Sequence, residues 1–283
     1  MAGSRQGCGK GEKDRPAMTN PPRKLAFVLA ATDQGTLIVN RFDYRMLNET
    51  QGFGVGHELL HRGSYATREV EIVRGLLEKR RQFFGDGVVA VDCGANIGVF
   101  TVEWAKAMTG WGYVLAIEAQ ERVFYALAGN IAINNCFNAR AIHAAVAATS
   151  GVLRIPRPDY LTSGSFGSLE LKPSEKTEFI GQPISYDDAD LTPVQAITID
   201  GLALPRLDVL KIDVERMELE VLEGARDTIG RLRPIIVVER IKTGRTALAG
   251  VIDVHGYRRF DAGMNIVAVH EDDPIRKHVR VDP

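Results

Sequence analysis

The chain has 283 residues, with 35 Lys+Arg against 36 Asp+Glu for a formal net charge of −1, and it is 45% hydrophobic and 25% charged. That balance argues against a surface built to hold nucleic acid through many phosphate contacts, and no apolar run approaches the ~18 residues of a membrane span. Three widely spaced cysteines, Cys8, Cys93 and Cys136, make neither a disulfide framework nor a zinc cluster and point to a reducing, cytoplasmic setting.

Residues 1–22 are rich in Gly, Lys, Arg, Ser and Pro without apolar periodicity, which predicts a disordered leader. They lack the apolar stretch of a secretory signal, and Met18 is an alternative start. Two short apolar runs, 25–29 and 36–39, flank Asp33-Gln34-Gly35 and predict a hairpin. His57-Glu58-Leu59-Leu60-His61 has the spacing of a zinc-protease signature. Gly54, Gly56 and Gly63 crowd it and no third ligand is evident, so a short helix or strand is expected instead. Val70, Ile72, Val73, Leu76 and Leu77 predict a helix over 68–80. Residues 23–82 are thus an N-terminal β/α extension within a single unit that runs over 23–283.

From residue 88 the pattern becomes regular. Apolar, largely β-branched runs at 88–91, 113–117, 139–144, 207–212 and 234–238 alternate with amphipathic stretches at 99–107, 123–134, 218–229 and 243–252, and short strands close the chain at 258–261 and 265–270. This predicts an α/β fold with a mostly parallel sheet and helices on both faces. Residues 145–205 interrupt the rhythm with repeated Gly and Pro, and are expected to be β-rich excursions and loop facing the substrate.

The sharpest local signal is Val-Ala-Val-Asp-Cys-Gly-Ala-Asn-Ile-Gly at 89–98. A strand ends at Asp92, turns through Gly94, Ala95 and Asn96, and opens a helix after Gly98, so that backbone can approach a ligand closely. Glu118, followed by Ala119, ends the second strand about 20 residues on, where a carboxylate accepts both hydroxyls of a ribose. A dinucleotide site wants a glycine where Asp92 stands, because amides there face a pyrophosphate. A carboxylate instead suits a cationic amino group, such as that of the methionine part of S-adenosylmethionine. An NAD-type oxidoreductase is the first alternative.

The stretch Val91-Asp92-Cys93-Gly94-Ala95-Asn96-Ile97-Gly98, together with Leu210-Lys211-Ile212-Asp213-Val214-Glu215 and Glu218-Leu219-Glu220-Val221-Leu222-Glu223-Gly224-Ala225, resembles the FkbM family of class I methyltransferases. Gly63-Ser64-Tyr65, Glu69, Glu71 and the late Asn265-Ile266-Val267-Ala268-Val269-His270 extend the likeness over roughly residues 65–274. The resemblance implies a Rossmann-like fold whose seven-stranded sheet has its last strand antiparallel. It also implies S-adenosylmethionine as cofactor, S-adenosylhomocysteine as product, and O-methylation of a hydroxyl on a sugar, polyketide or related metabolite. On that likeness the 94–98 loop wraps the methionine moiety, Glu118 takes the ribose, and Asp213 lies near the methyl-transfer centre. One departure is Arg216, where the family usually has Gly; it would narrow the pocket or meet an acidic substrate, and it is the one hint of a non-catalytic binding module.

An alcohol acceptor needs a group to take its proton. Glu239, at the end of the apolar run 235–238, is the candidate base, with Asp213 and Glu215 beside it; salt bridges from Arg240 or Lys242 are the competing reading for Glu239, and a helix N-terminus for Glu215. No resident metal is expected, although these three carboxylates together offer the ligands for a divalent cation. Cys93 and Cys136 read as buried apolar residues, His143 as a core or cofactor-adjacent histidine, and His270 as a solvated chain end. Asn20-Pro21-Pro22 and Lys79-Arg80-Arg81 carry no function of their own. The expected partner is a small-molecule or glycan acceptor, and homo-oligomerisation is left open.

Overall fold

The computed structural model describes residues 3, 23–49 and 51–279. Apart from Gly3, the expected leader with Cys8, Met18 and Asn20-Pro21-Pro22 lies outside the described residues. Strands β1 (Phe27–Thr32) and β2 (Gly35–Asn40) form the expected hairpin, Phe27 opposite Asn40 and Thr32 opposite Gly35. A short pair, β3 (Arg45–Met46) with β4 (Gly52–Phe53), leads into α1 (Val55–Arg62), which carries the His57–His61 stretch and stops at Gly63. Helix α2 (Thr67–Phe84) follows, burying Val70, Val73 and Leu77 at helical spacing.

The βαβ rhythm then runs through β5 (Val88–Cys93), α3 (Val99–Ala107), β6 (Gly112–Glu118), α4 (Glu121–Ile133) and β7 (Ala139–His143). The excursion supplies β8 (Ala145–Val146), β9 (Gly151–Ile155) and β10 (Thr192–Ile197), a separate three-stranded sheet in the order β8-β10-β9. Residues 156–191, between β9 and β10, contain no strand. The chain returns with β11 (Val209–Ile212), α5 (Glu218–Glu223), α6 (Arg226–Leu232), β12 (Ile235–Glu239), α7 (Arg245–Ile252), β13 (Tyr257–Ala262) and β14 (Asn265–His270).

The main sheet has seven strands in the order β13-β14-β12-β11-β5-β6-β7. Five neighbours from β12 to β7 run parallel, and β14 is antiparallel to both β12 and β13, as expected for the last strand. From β5 the chain winds outward through β6 and β7, then returns to β11 and winds the other way. The carboxyl ends of β5 and β11 are therefore the point where strand order reverses and a crevice opens. Helices α2, α3 and α4 cover one face around Leu77, Trp104 and Met108, and α5, α6 and α7 the other around Val221, Ile229 and Leu248.

The helix expected over 218–229 is broken in two. Gly224 lies so close to the excursion that a Cβ would stand 2.2 Å from the Ala147 carbonyl oxygen. The Asp200 carboxylate accepts N–H bonds from Asp227 (3.1 Å) and Thr228 (2.7 Å) and starts α6 afresh. Buried ion pairs join distant parts of the chain: Arg80 of α2 meets Asp208 at 3.0 Å and also Asp273. Asn130 of α4 accepts the Ile38 N–H of the hairpin and donates to the carbonyls of Ile97 (2.7 Å) and Ile38 (3.2 Å). Among the described residues no helix is long and apolar enough to cross a membrane.

Candidate active site

A cavity of ≈ 320 Å³ opens at the carboxyl ends of β5, β6, β11 and β12, within the range of small-molecule sites. Its floor includes Gly94, Ala95, Asn96, Glu118, Ala119, Asp213, Glu215 and Glu239. The structure therefore brings most of the sequence candidates together. Gly98 and Asp92 are not on its wall.

Sterics dictate the loop. Gly94 has φ 74°, and a Cβ there would sit 1.8 Å from the Asp213 carbonyl oxygen, so glycine alone lets the loop lie against the end of β11. The N–H groups of Gly94 and Ala95 both donate to the Ile117 carbonyl at 3.0 Å. Gly98 (φ 88°) abuts Leu127 and launches α3, acting on the loop's shape from behind.

Glu118 is buried at the tip of β6. One of its oxygens accepts the Asn96 N–H (3.0 Å) and the other the Gln120 N–H (2.8 Å). Burial pushes its carboxyl up to about 7 against the lowering effect of the Gln120, Asn96 and Ala119 backbone N–H groups. No ion pair is formed by Glu118 in the described residues, and a carboxylate oxygen that takes one donor has room for another.

Asp92, expected to meet a ligand's amino group, lies behind the cavity wall. Its side chain is fully buried, accepts the Thr101 hydroxyl at 2.8 Å and lies 3.3 Å from the Lys211 ammonium. Sheet register causes this, because Asp92 and Lys211 are cross-strand partners on β5 and β11. Lys211 reaches on to Asp213 at 3.2 Å, passing over the Phe100 ring. Burial works against the Lys211 charge, but Asp213 and Asp92 outweigh it and hold the ammonium above its ordinary range.

Asp213, Glu215 and Glu239 converge, with one carboxylate oxygen of each within 4.8 Å of the others. Glu239 closes the buried run Ile235-Ile236-Val237-Val238. Burial first, then the charges of Asp213 and Glu218, lift its carboxyl to about 7. The salt bridges considered for Glu239 form elsewhere: Lys242 pairs with Glu215 and with Glu178 (3.0 Å), and Arg240 bonds the Gly263 carbonyl. Glu215 is held in a left-handed conformation (φ 53°), and burial drives its carboxyl well up despite Lys242. Arg216 also has positive φ (77°) and turns away from the cavity, meeting the fully buried Glu170 carboxylate at 2.9 Å and the Lys176 carbonyl at 3.0 Å. Neither role expected for Arg216, narrowing the pocket or meeting an acidic substrate, is what its side chain does.

Lys242 and Glu170 were not legible as site residues. Lys242 lies in a polar segment after β12, and its partners Glu170 and Glu178 lie in the excursion, which has no periodic pattern. Lys211 did leave a signal, a lysine inside an otherwise apolar strand. Tyr65 lines the cavity, and burial pushes its phenol above the ordinary range.

The remaining candidates fall away from the site. His57 and His61 stack on each other at 4.1 Å, Glu58 pairs with Arg62 at 2.9 Å, and no third ligand joins them among the described residues. His143 stacks on Phe124 at 5.0 Å, and its Nε2 is 3.1 Å from the Ala119 carbonyl beside the cavity. His270 is not a solvated end; it is buried edge-on against Tyr257. Cys93 and Cys136 are free and buried.

Residues 92–259, well over half of the chain, match the model of the Methyltransferase FkbM domain. The chain belongs to the FkbM methyltransferase family. This FkbM-family chain is similar to the methyltransferase sdnD of Sordaria araneosa, 27% identical over 172 residues that cover 53% of this chain and 64% of the relative. It thus spans less than two thirds of that curated relative's length. It is also similar to the solved structures of a methyltransferase FkbM from Methylobacillus flagellatus (17% identity, TM-score 0.44, 65% of this chain and 44% of that one) and of magnesium protoporphyrin IX methyltransferase from Synechocystis (11% identity, TM-score 0.43, 77% and 92%). The seven-stranded, mostly parallel sheet with helices on both faces is a Rossmann-like arrangement.

Proposed function

We propose that the protein is an S-adenosylmethionine-dependent methyltransferase acting on a hydroxyl of a sugar, polyketide or related metabolite. The observation that carries this reading is that one cavity holds two differently placed buried carboxylates: Glu118 beside the glycine loop, and Glu239 across it with its proton affinity raised toward neutral pH. Glu118, with lone pairs left over and no ion-pair partner among the described residues, fits a ribose diol. The side-chain-free surface of Gly94, with Ala95, Asn96 and Ala119, fits the close approach of the nucleoside and amino-acid ends. Asp92 and Gly98 support that loop from behind, and Asp213 faces the reacting centre.

When bound, the cofactor supplies an electrophilic methyl group on a sulfonium. The chain's task is to aim the acceptor oxygen in line and to receive its proton. Glu239 is the proposed base. Asp213, tethered by Lys211, and Glu215, tethered by Lys242, are positioning carboxylates. Because those two lysines already neutralise two of the three acidic groups, turnover is expected to persist in a chelator. The excursion over 145–205 supplies Ser165, Leu169 and Leu171 to the cavity wall and is proposed to contact the acceptor.

Calorimetric titration tests the reading. S-adenosylhomocysteine is expected to bind and NAD+ not to bind; an absence of S-adenosylhomocysteine binding removes the proposal's foundation. The hint of a non-catalytic module loses its basis, since Arg216 is engaged with Glu170.

A further inference from the structure

The mouth of the cavity is ringed by apolar side chains that no described element covers. Leu47 (58% exposed), Phe53 (40%), Ile241 (58%) and Met264 (48%) all line it. They come from three separate stretches: the β3–β4 pair, the segment leaving β12, and the turn between β13 and β14. Single exposed aliphatics are ordinary. Four that converge from three stretches on one opening form the kind of patch that marks a binding groove.

Three cations nearby are engaged with acidic side chains, and the other charge at the rim, Glu69, is itself acidic. Arg45 meets Glu178 at 2.8 Å, Lys242 meets Glu178 at 3.0 Å and also Glu215, and Arg216 meets Glu170 at 2.9 Å. These three cations are ion-paired within the protein, so they do not call for a phosphate or carboxylate on the acceptor. The floor beneath is different, carrying the carboxylates of Asp213 and Glu239. An apolar opening continuous with a hydrogen-bonding floor is matched by one molecule with both characters.

We propose that the acceptor is an uncharged alcohol carried on an apolar body, its hydroxyl reaching Glu239 while the apolar part remains on the ring of Leu47, Phe53, Ile241 and Met264. The proposal rests on the methyltransferase reading and narrows its substrate class: a free, fully polar sugar would leave the ring facing water.

The experiment uses the full chain and the methyl, hexyl and octyl β-D-glucosides, kept below micelle-forming concentration and titrated calorimetrically with S-adenosylhomocysteine present. The octyl compound is expected to bind about tenfold or more tighter than the methyl compound, as burial of several methylenes requires. The double variant Phe53→Ser/Ile241→Ser should lose that gain while keeping S-adenosylhomocysteine affinity within about twofold of the wild type. Leu47→Ser/Met264→Ser, on the other two stretches of the ring, should do the same. Equal affinity along the series, or a chain-length gain that survives in both double variants, overturns the proposal. Failure of S-adenosylhomocysteine to bind would instead overturn the methyltransferase reading, and the series repeated without it still reports on the ring.

Discussion

Glu239 owes its chemistry to its address. It follows four buried aliphatic residues, so its carboxylate forms where water is scarce and beside the charge of Asp213. With the carboxyl lifted to about 7, the basic form is the one present above that pH. Under the proposed role the methyl-transfer rate should therefore rise with pH through about 7 and level off above it. Glu239→Gln should lower kcat by about 10²–10⁴-fold, the usual worth of a general base, with S-adenosylhomocysteine affinity nearly unchanged; an unchanged kcat would take the base role away from Glu239. This residue could be picked out in the sequence because an acid after a β-branched run marks a strand's carboxyl end. Asp92 could be picked out equally well, but not its partner. That depended on β5 lying beside β11, a pairing between residues more than a hundred positions apart.

At the scale of elements, the segments behind the cavity were legible and those in front were not. Strands β5, β6, β11 and β12 announce themselves as apolar runs because both faces of a parallel sheet are buried. Residues 156–191 instead bury a few isolated apolar side chains, Phe166, Leu169 and Ile180, and add individual polar contacts such as Arg216 with Glu170, Lys242 with Glu178, and Lys172 with Glu220 at 2.7 Å. Such contacts have no period to read. The substitution Arg216→Gly measures the first of them. Glycine relieves the left-handed backbone, a gain of about 1 kcal/mol, but leaves the buried Glu170 carboxylate with the Ser174 hydroxyl and the Glu178 N–H, both at 3.2 Å, and no cation nearer than Lys242 at 3.8 Å. Breaking a buried pair costs about 3–5 kcal/mol, so a net loss of about 2–4 kcal/mol is expected in urea denaturation, with faster proteolysis inside 156–191. Equal stability would show that the pair contributes no more than the about 1 kcal/mol that glycine returns.

For the whole molecule, the acids crowded at the carboxyl edge of the sheet set how stability responds to pH. Burial raises the carboxyls of Glu118 from 4.5 to about 7 and of Asp43 from 3.8 to about 6. The folded state then holds protons that the unfolded chain has released, so the stability they confer is complete below the unfolded values, 3.8 for Asp43 and 4.5 for Glu118, and is lost as pH rises through about 6 and about 7 respectively. Glu118→Gln removes its share. Its stability relative to the wild type should climb by on the order of 3 kcal/mol between pH 4 and 8, followed by chemical denaturation at each pH. A relative stability that is flat with pH would show that Glu118 is not buried as a protonated acid.

The sheet's strand order also carries a consequence for the making of the chain. Strand β14 lies between β12 and β13, and β13 pairs with nothing else in the sheet. During synthesis the apolar edge of β12 therefore stays open until residue 270 has emerged, and β13, though already made, has no place to dock. The buried Arg80 waits even longer for Asp273. Any product truncated before β14 exposes a ready template for pairing with another chain, so the last tenth of the sequence governs whether the newly made protein closes on itself or associates with its neighbours.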